Sequence, residues 1–262
     1  MNIKLVLLDV DGTLLPKNAL RVDKRLVKAA RRLQEAGVKI AIATGRNATA
    51  LTKEVLGGLR PDYLVCCNGA RLMDQNGNDI HVDRMTEQEM YALVDYCEDF
   101  DYPLAFVFRD GYYAYVEYQR MKAFYDTVGG FKGLVHDGED QDRHLEDMPL
   151  AAFCCMPPEA LPGFAAKYGH LGLKFMAYSR DKFDVGRATS DKAHGMAWLM
   201  ETLGLTASQV AAVGDGNNDV EMLRQAGLGA CVADGAPAAM EAADRVLDKG
   251  VEGLEAFLLG LL

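Results

Sequence analysis

The sequence predicts an α/β protein in which a parallel sheet flanked by helices is interrupted by a separate α+β module. Strand and helix patterns alternate in the first third of the chain, hairpin signals crowd the middle, and the alternation returns after Gly186. Alternating strands and helices are typical of a parallel sheet, whereas hairpins build antiparallel ones. We therefore predict an α/β domain at residues 1–83 and 186–262 and an inserted α+β domain at residues 84–185.

The α/β alternation follows from apolar spacing and from glycine. Residues 3–8 are apolar throughout, as in a buried parallel strand, and residues 22–36 carry apolar side chains at helical spacing before Gly37. The other predicted elements of this domain are strands at 38–43, 63–67, 210–213 and 229–232, and helices at 47–56, 192–203, 219–225 and near 251–262.

The middle of the chain changes to antiparallel signals. Asn76-Gly77 is a strong turn signal for a hairpin, and Thr86 with Glu89 matches the capping box that opens a helix. Strands follow at 104–108, 112–116, 175–178 and 183–185. These elements predict the inserted module.

Charge and cysteine content restrict the function classes. Lysine and arginine number 28 against 38 aspartate and glutamate residues, and a formal net charge of −10 disfavours a nucleic-acid partner. The longest apolar runs are too short for a membrane span, and the apolar stretch at 3–8 meets Asp9 too soon for a secretory signal. The six cysteines contain no C-x-x-C pair, so we expect buried free thiols in a reducing cytoplasm.

Polar residues follow three of the predicted parallel strands. Ligands bind at the carboxyl ends of strands in open parallel sheets, so these residues are expected to share one edge. They are Asp9 and Asp11 after the first strand, Thr44-Gly45-Arg46 after the second, and Gly214-Asp215-Gly216-Asn217-Asn218-Asp219 after the strand at 210–213.

The predicted cluster suits a metal and a phosphate. Clustered carboxylates repel one another unless a proton or a cation lies among them, and an all-oxygen donor set with several acids favours Mg²⁺. Glycine-containing turns that open onto helices supply amides for an anion. Lys192, at the start of a predicted helix, could reach the same edge and neutralise a bound phosphate. The chemistry indicated is attack of a carboxylate on a phosphoryl group, with a second acid moving the proton.

Two other binding sites compete with this interpretation. The calcium-loop match at Asp9 fails because Thr13 stands where an aspartate or asparagine ligand is required. The match at Asp215 fails because Val220 and Ala226 stand where a glycine and a bidentate glutamate are needed. A dinucleotide site is the stronger rival, because Gly214 and Gly216 lie in a strand–turn–helix context. Its third glycine is replaced by Asp219, which would repel a pyrophosphate.

The ordered motifs resemble the haloacid dehalogenase (HAD) superfamily, in particular its Cof-type phosphatases. The resemblance extends over essentially the whole chain and implies a Rossmann-like core with an inserted α+β cap that selects the substrate. The matching motifs are Asp9-Val10-Asp11-Gly12-Thr13, Thr44-Gly45-Arg46, Asn68-Gly69-Ala70, Lys192, and Gly214 through Asp219.

This resemblance also implies a role for each motif residue. Asp9 would be the nucleophile and Asp11 the general acid and base. Phosphate binding would fall to Thr44, Gly45, Arg46, Lys192 and Asn218, and Mg²⁺ binding to Asp9, Asp11 through its backbone carbonyl, Asp215 and Asp219.

We therefore expect a cytoplasmic, Mg²⁺-dependent phosphatase, monomeric or homodimeric, that hydrolyses small phosphorylated metabolites, with sugar phosphates as the class implied by the resemblance. A phosphomutase would use the same Asp9 chemistry and return the phosphoryl group to a sugar. A ligand sensor that retained the fold is a third possibility, although such a protein needs no nucleophile and proton shuttle.

Overall fold

The computed structural model describes residues 2–128 and 130–262, and the chain forms two compact units. The first unit contains Met1–Gly45, Leu51–His81 and Asp191–Leu262, and the second contains Arg46–Ala50 and Val82–Ser190. The sequence does not indicate that the short stretch Arg46–Ala50 would fold with the second unit. That the first unit is catalytic and the second selects the substrate stays a prediction.

The described residues form fourteen strands and nine α-helices. The strands are β1 Leu5–Leu8, β2 Lys39–Ala43, β3 Tyr63–Cys66, β4 Arg71–Asp74, β5 Asp79–Val82, β6 Leu104–Val107, β7 Tyr112–Val116, β8 Val135–Asp137, β9 Ala151–Cys155, β10 Lys174–Ser179, β11 Lys182–Gly186, β12 Val210–Gly214, β13 Leu228–Cys231 and β14 Arg245–Val246. The helices are α1 Lys24–Glu35, α2 Lys53–Leu56, α3 Glu87–Asp99, α4 Tyr118–Tyr125, α5 Leu161–Tyr168, α6 Lys192–Leu203, α7 Val220–Gln225, α8 Pro237–Ala242 and α9 Gly250–Leu259.

The first unit is built on an eight-stranded sheet in the order β14-β13-β12-β1-β2-β3-β4-β5. The strands from β14 to β3 are parallel, and β4 runs antiparallel to β3. The predicted parallel sheet is confirmed. Because β1 lies between β12 and β2 and its four residues are fully buried, its carboxyl end is at the middle of the sheet edge.

Helices α1 and α6 show how capping residues set the ends of the elements. The carboxylate of Asp23 accepts a hydrogen bond from the amide of Arg25 at 2.8 Å, and the apolar face of α1 is buried. In the same way, the Asp191 carboxylate accepts a bond from the amide of His194 at 2.9 Å, so α6 begins at Lys192. The cap at Asp191 therefore places Lys192 in the first turn of its helix.

The second unit is built on a six-stranded sheet in the order β10-β11-β9-β6-β7-β8. Its pairs are antiparallel except for β7 with β8, and α3 begins with the predicted capping box of Thr86 and Glu89. The fold class, α/β with an α+β module, is confirmed. The sequence gives weak signals for β9, whose AAFCC stretch lacks alternation, and for α5, which carries Pro162 and Gly163 in its first turn.

The helix predicted at 47–56 is wrong as a single element. The structure has a 3₁₀ turn at Ala48–Ala50 and then the short helix α2. Thr52 starts the second piece, since its hydroxyl accepts a bond from the amide of Val55 at 3.3 Å, and Gly57 ends it with a positive φ of 60°. Local capping therefore divides a stretch whose composition alone suits one helix.

The six cysteines are free, and five of them are buried. Burial raises the pKa of the Cys66 thiol to about 12, which keeps it protonated and inert. Within residues 2–128 and 130–262, no helix has both the length and the apolar character needed to span a membrane.

Candidate active site

Asp9 lies directly beyond the last residue of β1 and is buried. Its amide donates to the carbonyl of Val213 at 2.9 Å, which extends the pairing of β1 with β12 by one residue. The chain then turns sharply, with the amide of Gly12 bonded to the carbonyl of Leu15 at 2.9 Å. Asp11 is at the exposed side of this turn, while Asp9 faces the interior.

Gly12 allows the turn to pass close to Asp215. Its φ is +91°, and a Cβ atom built on it would lie 2.1 Å from an Asp215 carboxylate oxygen, so no side chain fits there. The hydroxyl of Thr13, the next residue, donates to the other Asp215 oxygen at 2.9 Å. The turn after β1 therefore orients a carboxylate that follows β12.

We expect Gly12→Ala to lower the free energy of unfolding by roughly 3 kcal/mol or more, since it adds a steric clash to backbone strain. Gly37→Ala is the matched control, because Gly37 has a φ of +85° but open space around it. Gly37→Ala should lower the free energy of unfolding by only about 1 kcal/mol, from backbone strain alone. Urea unfolding measures both variants, and equal losses would contradict the assigned clash.

The turn after β12 holds Asp219 rigidly. One oxygen of the Asp219 carboxylate accepts bonds from the amides of Asp215 at 3.0 Å and Gly216 at 2.9 Å. The side chain is fully buried, and a Cβ atom at Gly214 would lie 2.4 Å from its carboxylate carbon. Only glycine at position 214 therefore leaves space for the buried side chain of Asp219.

Lys192 joins these two turns. Its ammonium donates to Asp9 Oδ1 at 2.6 Å and to Asp219 Oδ1 at 2.7 Å, and the side chain is 1% exposed. A lysine is rarely buried so completely unless it is paired. The α6 residue is therefore held between acids from the ends of β1 and β12.

Burial and neighbouring charges shift the pKa values of Asp9, Asp215 and Lys192. Burial raises the pKa of Asp9 well above its ordinary value; Lys192 opposes the rise, and the carboxylates of Asp219 and Asp215 add to it. Burial also raises the pKa of Asp215, against the hydrogen bond from Thr13. Burial alone would lower the pKa of Lys192. The carboxylates of Asp219 and Asp9 outweigh this effect, so the pKa of Lys192 is raised. Three carboxylates therefore lie near a single ammonium group, which can balance the charge of only one of them.

The same acids fit a divalent cation. One carboxylate oxygen each from Asp9, Asp215 and Asp219 lies within 4.8 Å of the others. Hard oxygen donors of this kind suit Mg²⁺, and a cation among them would relieve the repulsion that raises the pKa of Asp9. The donor set thus agrees with the metal that the sequence predicts.

Thr44 and Asn218 belong to the same unit as these acids. Thr44 follows β2 and is fully buried; its amide donates to the carbonyl of Val65, and its carbonyl accepts from the amide of Asn68, both at 2.9 Å. The side-chain amide of Asn218 donates to the side-chain oxygen of Asn68 at 2.9 Å. Asn68 therefore links the segments after β2, β3 and β12.

Gly45 and Arg46 stand at a boundary between the units. Gly45 is the last residue of its stretch in the first unit, whereas Arg46 belongs to the second. The guanidinium of Arg46 is stacked 4.9 Å from the ring centroid of Phe131. Phosphate binding by Gly45, Arg46 and Asn218 stays a prediction.

Two residues of the matching motifs have contacts that the sequence does not predict. Thr13 orients Asp215, and Asn68 bonds to Asn218. A buried threonine four residues after Asp9 is a weak signal, since threonine is common in turns. Only their partners, 202 and 150 residues away in the chain, reveal what they do.

Comparisons with known proteins agree with this geometry. A family model described as haloacid dehalogenase-like hydrolase matches residues 6–254. The 5-amino-6-(5-phospho-D-ribitylamino)uracil phosphatase YcsE of Bacillus subtilis (strain 168) is 26% identical, covering 96% of this chain and 92% of its own. Pyridoxal phosphate phosphatase YbhA of Escherichia coli (strain K12) is 24% identical, covering 98% of both chains. Among solved structures, the phosphatase BT1666 from Bacteroides thetaiotaomicron has a TM-score of 0.86 at 25% identity, covering 99% of this chain and 96% of its own.

Proposed function

The chain belongs to the haloacid dehalogenase-like hydrolase family and is a phosphatase, and from this premise we propose that it hydrolyses small phosphate monoesters through a phosphorylated Asp9. The observation that carries the proposal is the contact of Lys192 with the buried Asp9 at 2.6 Å and the buried Asp219 at 2.7 Å, beside the half-buried Asp215. A lysine with only a structural role needs one carboxylate to balance its charge. Lys192 contacts two carboxylates, and Asp215 adds a third nearby.

In the proposed reaction, a carboxylate oxygen of Asp9 attacks phosphorus in line with the leaving oxygen. Asp11 donates its proton to that oxygen as the P–O bond breaks, and then accepts a proton from the water that attacks the phosphorylated Asp9. Lys192 offsets the charge of Asp9 and of the phosphoryl oxygens, while Thr44 holds those oxygens. The products are the free alcohol, inorganic phosphate and the regenerated carboxylate.

We propose that Asp9, Asp215, Asp219 and the backbone carbonyl of Asp11 are the residues that would hold Mg²⁺. Such an ion, when bound, would withdraw charge from the phosphoryl oxygens and screen Asp9 from the anionic substrate. Thr13 supports this role, since it fixes one oxygen of Asp215 at 2.9 Å.

We expect Mg²⁺ to raise the unfolding midpoint relative to EDTA, on the order of 5 °C at large excess, and to do so more at about pH 8 than at about pH 5. Since the pKa values of Asp9 and Asp215 are raised by folding, the metal-free protein loses stability as pH rises through those values. The cation needs ionised ligands, so its stabilisation grows over the same pH range.

Thermal unfolding with Mg²⁺ or EDTA at both pH values tests this expectation. Asp215→Asn should remove most of the gain, because it deletes a ligand and leaves Lys192 in place. A gain that is the same at both pH values, or that survives in Asp215→Asn, would contradict the metal site proposed at these acids.

For the substrate we propose small polar phosphate esters, with sugar phosphates as the preferred class and the second unit as the part that selects among them. The two named relatives act on a phosphorylated ribitylaminouracil and on pyridoxal phosphate, so both belong in the test panel. The free, mostly buried cysteines support our proposal of a cytoplasmic enzyme.

The test is phosphate release from p-nitrophenyl phosphate, a panel of sugar phosphates and the two relatives' substrates, each with Mg²⁺ or EDTA. We expect metal-dependent release, with at least one natural ester turned over faster than p-nitrophenyl phosphate. Conversion of a sugar 1-phosphate into its 6-phosphate without release would indicate a mutase instead.

A further inference from the structure

The segment Arg46–Ala50 has an unusual position in the chain. It folds with the second unit, although Thr44 and Gly45 before it and Leu51 after it belong to the first. One peptide bond thus separates Gly45 from a segment whose packing partners lie in the other unit. The backbone of Thr44 is bonded to Val65 and Asn68, so Gly45 is the residue whose path depends on what anchors Arg46–Ala50.

The anchor is the turn of the β6–β7 hairpin. The backbone amide of Asn47 donates to the hydroxyl of Tyr112 at 2.8 Å, and the Asn47 side-chain amide donates to the carbonyl of Phe108 at 2.6 Å. Phe108 directly follows β6, and Tyr112 begins β7. Asn47 and Phe108 are fully buried and Tyr112 is 3% exposed, so water does not compete for these bonds.

An aromatic contact reinforces the same anchor. The Arg46 guanidinium lies over the ring of Phe131, and the Phe131 and Tyr112 ring centroids are 5.4 Å apart. The side-chain oxygen of Asn47 is buried and has no hydrogen-bond partner among the described residues. Two hydrogen bonds and one contact with an aromatic ring therefore hold Asn47 and Arg46 within the second unit.

We propose that Asn47 and Tyr112 are positioning residues for phosphate binding: their contact anchors Asn47 to the β6–β7 hairpin and so directs the backbone of Gly45, which follows Thr44. This inference rests on the proposed function, which assigns phosphate binding to Thr44. Neither side chain touches the reacting atoms. Their effect reaches Gly45, the neighbour of Thr44, through the two peptide units that separate it from Asn47.

Tyr112→Phe tests the proposal, because it removes only the hydroxyl that accepts the Asn47 bond. The matched control is Tyr113→Phe, the next residue of β7, whose hydroxyl donates to Asp110 within its own hairpin at 2.9 Å. Asn47→Ala is a second variant that removes the bond to Phe108. For each protein we would measure kcat and KM for p-nitrophenyl phosphate, the inhibition constant of inorganic phosphate, and the unfolding midpoint.

We expect Tyr112→Phe and Asn47→Ala to raise KM and the phosphate inhibition constant together, each about fivefold, the effect of one lost hydrogen bond. The kcat should fall much less, since the contact of the Gly45 backbone with phosphate is made in both ground and transition states. Tyr113→Phe should match the wild type in all three kinetic constants.

A lower unfolding midpoint with unchanged KM and unchanged phosphate inhibition in both test variants would overturn the proposal, because the bonds would then be structural only. Equal effects of Tyr112→Phe and Tyr113→Phe would overturn it as well. A wild type that neither releases nor binds phosphate would instead refute the proposed function, so the two failures are distinguishable.

Discussion

Replacing Asp9 with asparagine is expected to reduce kcat for phosphate release by at least about 10⁴-fold, as loss of a nucleophile does in other hydrolases. The amide cannot attack phosphorus or form an acyl phosphate. The fold should persist, since asparagine keeps the shape of the side chain and burying a neutral amide costs less than burying a charge. Phosphate release under saturating p-nitrophenyl phosphate with Mg²⁺ measures the effect.

Asp23→Asn is the matched control for this substitution. Asp23 caps α1 through the bond to the Arg25 amide, and asparagine caps a helix equally well. This variant should retain wild-type turnover and stability. Turnover by Asp9→Asn within tenfold of wild type, about 1.4 kcal/mol in the barrier, would remove Asp9 from the chemistry.

The second large effect is expected for Lys192→Met, which should lower the free energy of unfolding at neutral pH by about 3 kcal/mol or more. Removing the ammonium leaves the Asp9 and Asp219 carboxylates buried without their shared counter-charge. The loss should be smaller at about pH 5, since burial raises the pKa of Asp9 and protonation of Asp9 relieves its repulsion with Asp219. Turnover should fall by roughly 10² to 10³, as for loss of one charge-stabilising donor.

Lys24→Met is the control for the lysine. Lys24 is the first residue of α1, as Lys192 is of α6, and both helices have 12 residues, but Lys24 is exposed. Its loss should change stability by less than about 0.5 kcal/mol. Urea unfolding at both pH values compares the two variants, and equal costs would contradict the buried ion cluster.

Local sequence patterns predict one part of the site. A buried strand followed by acids predicts Asp9 at a sheet edge, and a parallel sheet brings it to the acids after β12. Lys192 is predictable only through its place at a helix start, because a lone lysine carries no signal of burial. The three-way contact with Asp9 and Asp219 spans 183 residues of sequence, which no local pattern encodes.

Contacts between distant segments explain what could not be predicted. The stretch 47–56 has the composition of one helix, yet the bond from the Asn47 amide to Tyr112, 65 residues away, draws its first part into the second unit. Strand β9 lies between β11 and β6, and its identity depends on those partners and not on its own alternation. Tertiary pairing decided both cases.

Transfer of the phosphoryl group to Asp9 can be tested with beryllium fluoride, which forms a tetrahedral mimic of a phosphorylated carboxylate. Fluorine NMR would follow the wild type and Asp9→Asn in the presence of beryllium, fluoride and Mg²⁺. We expect bound fluorine signals and loss of phosphatase activity for the wild type, and no bound signal for Asp9→Asn. An active wild type that shows no bound signal, or an equal signal from Asp9→Asn, would contradict phosphoryl transfer to Asp9.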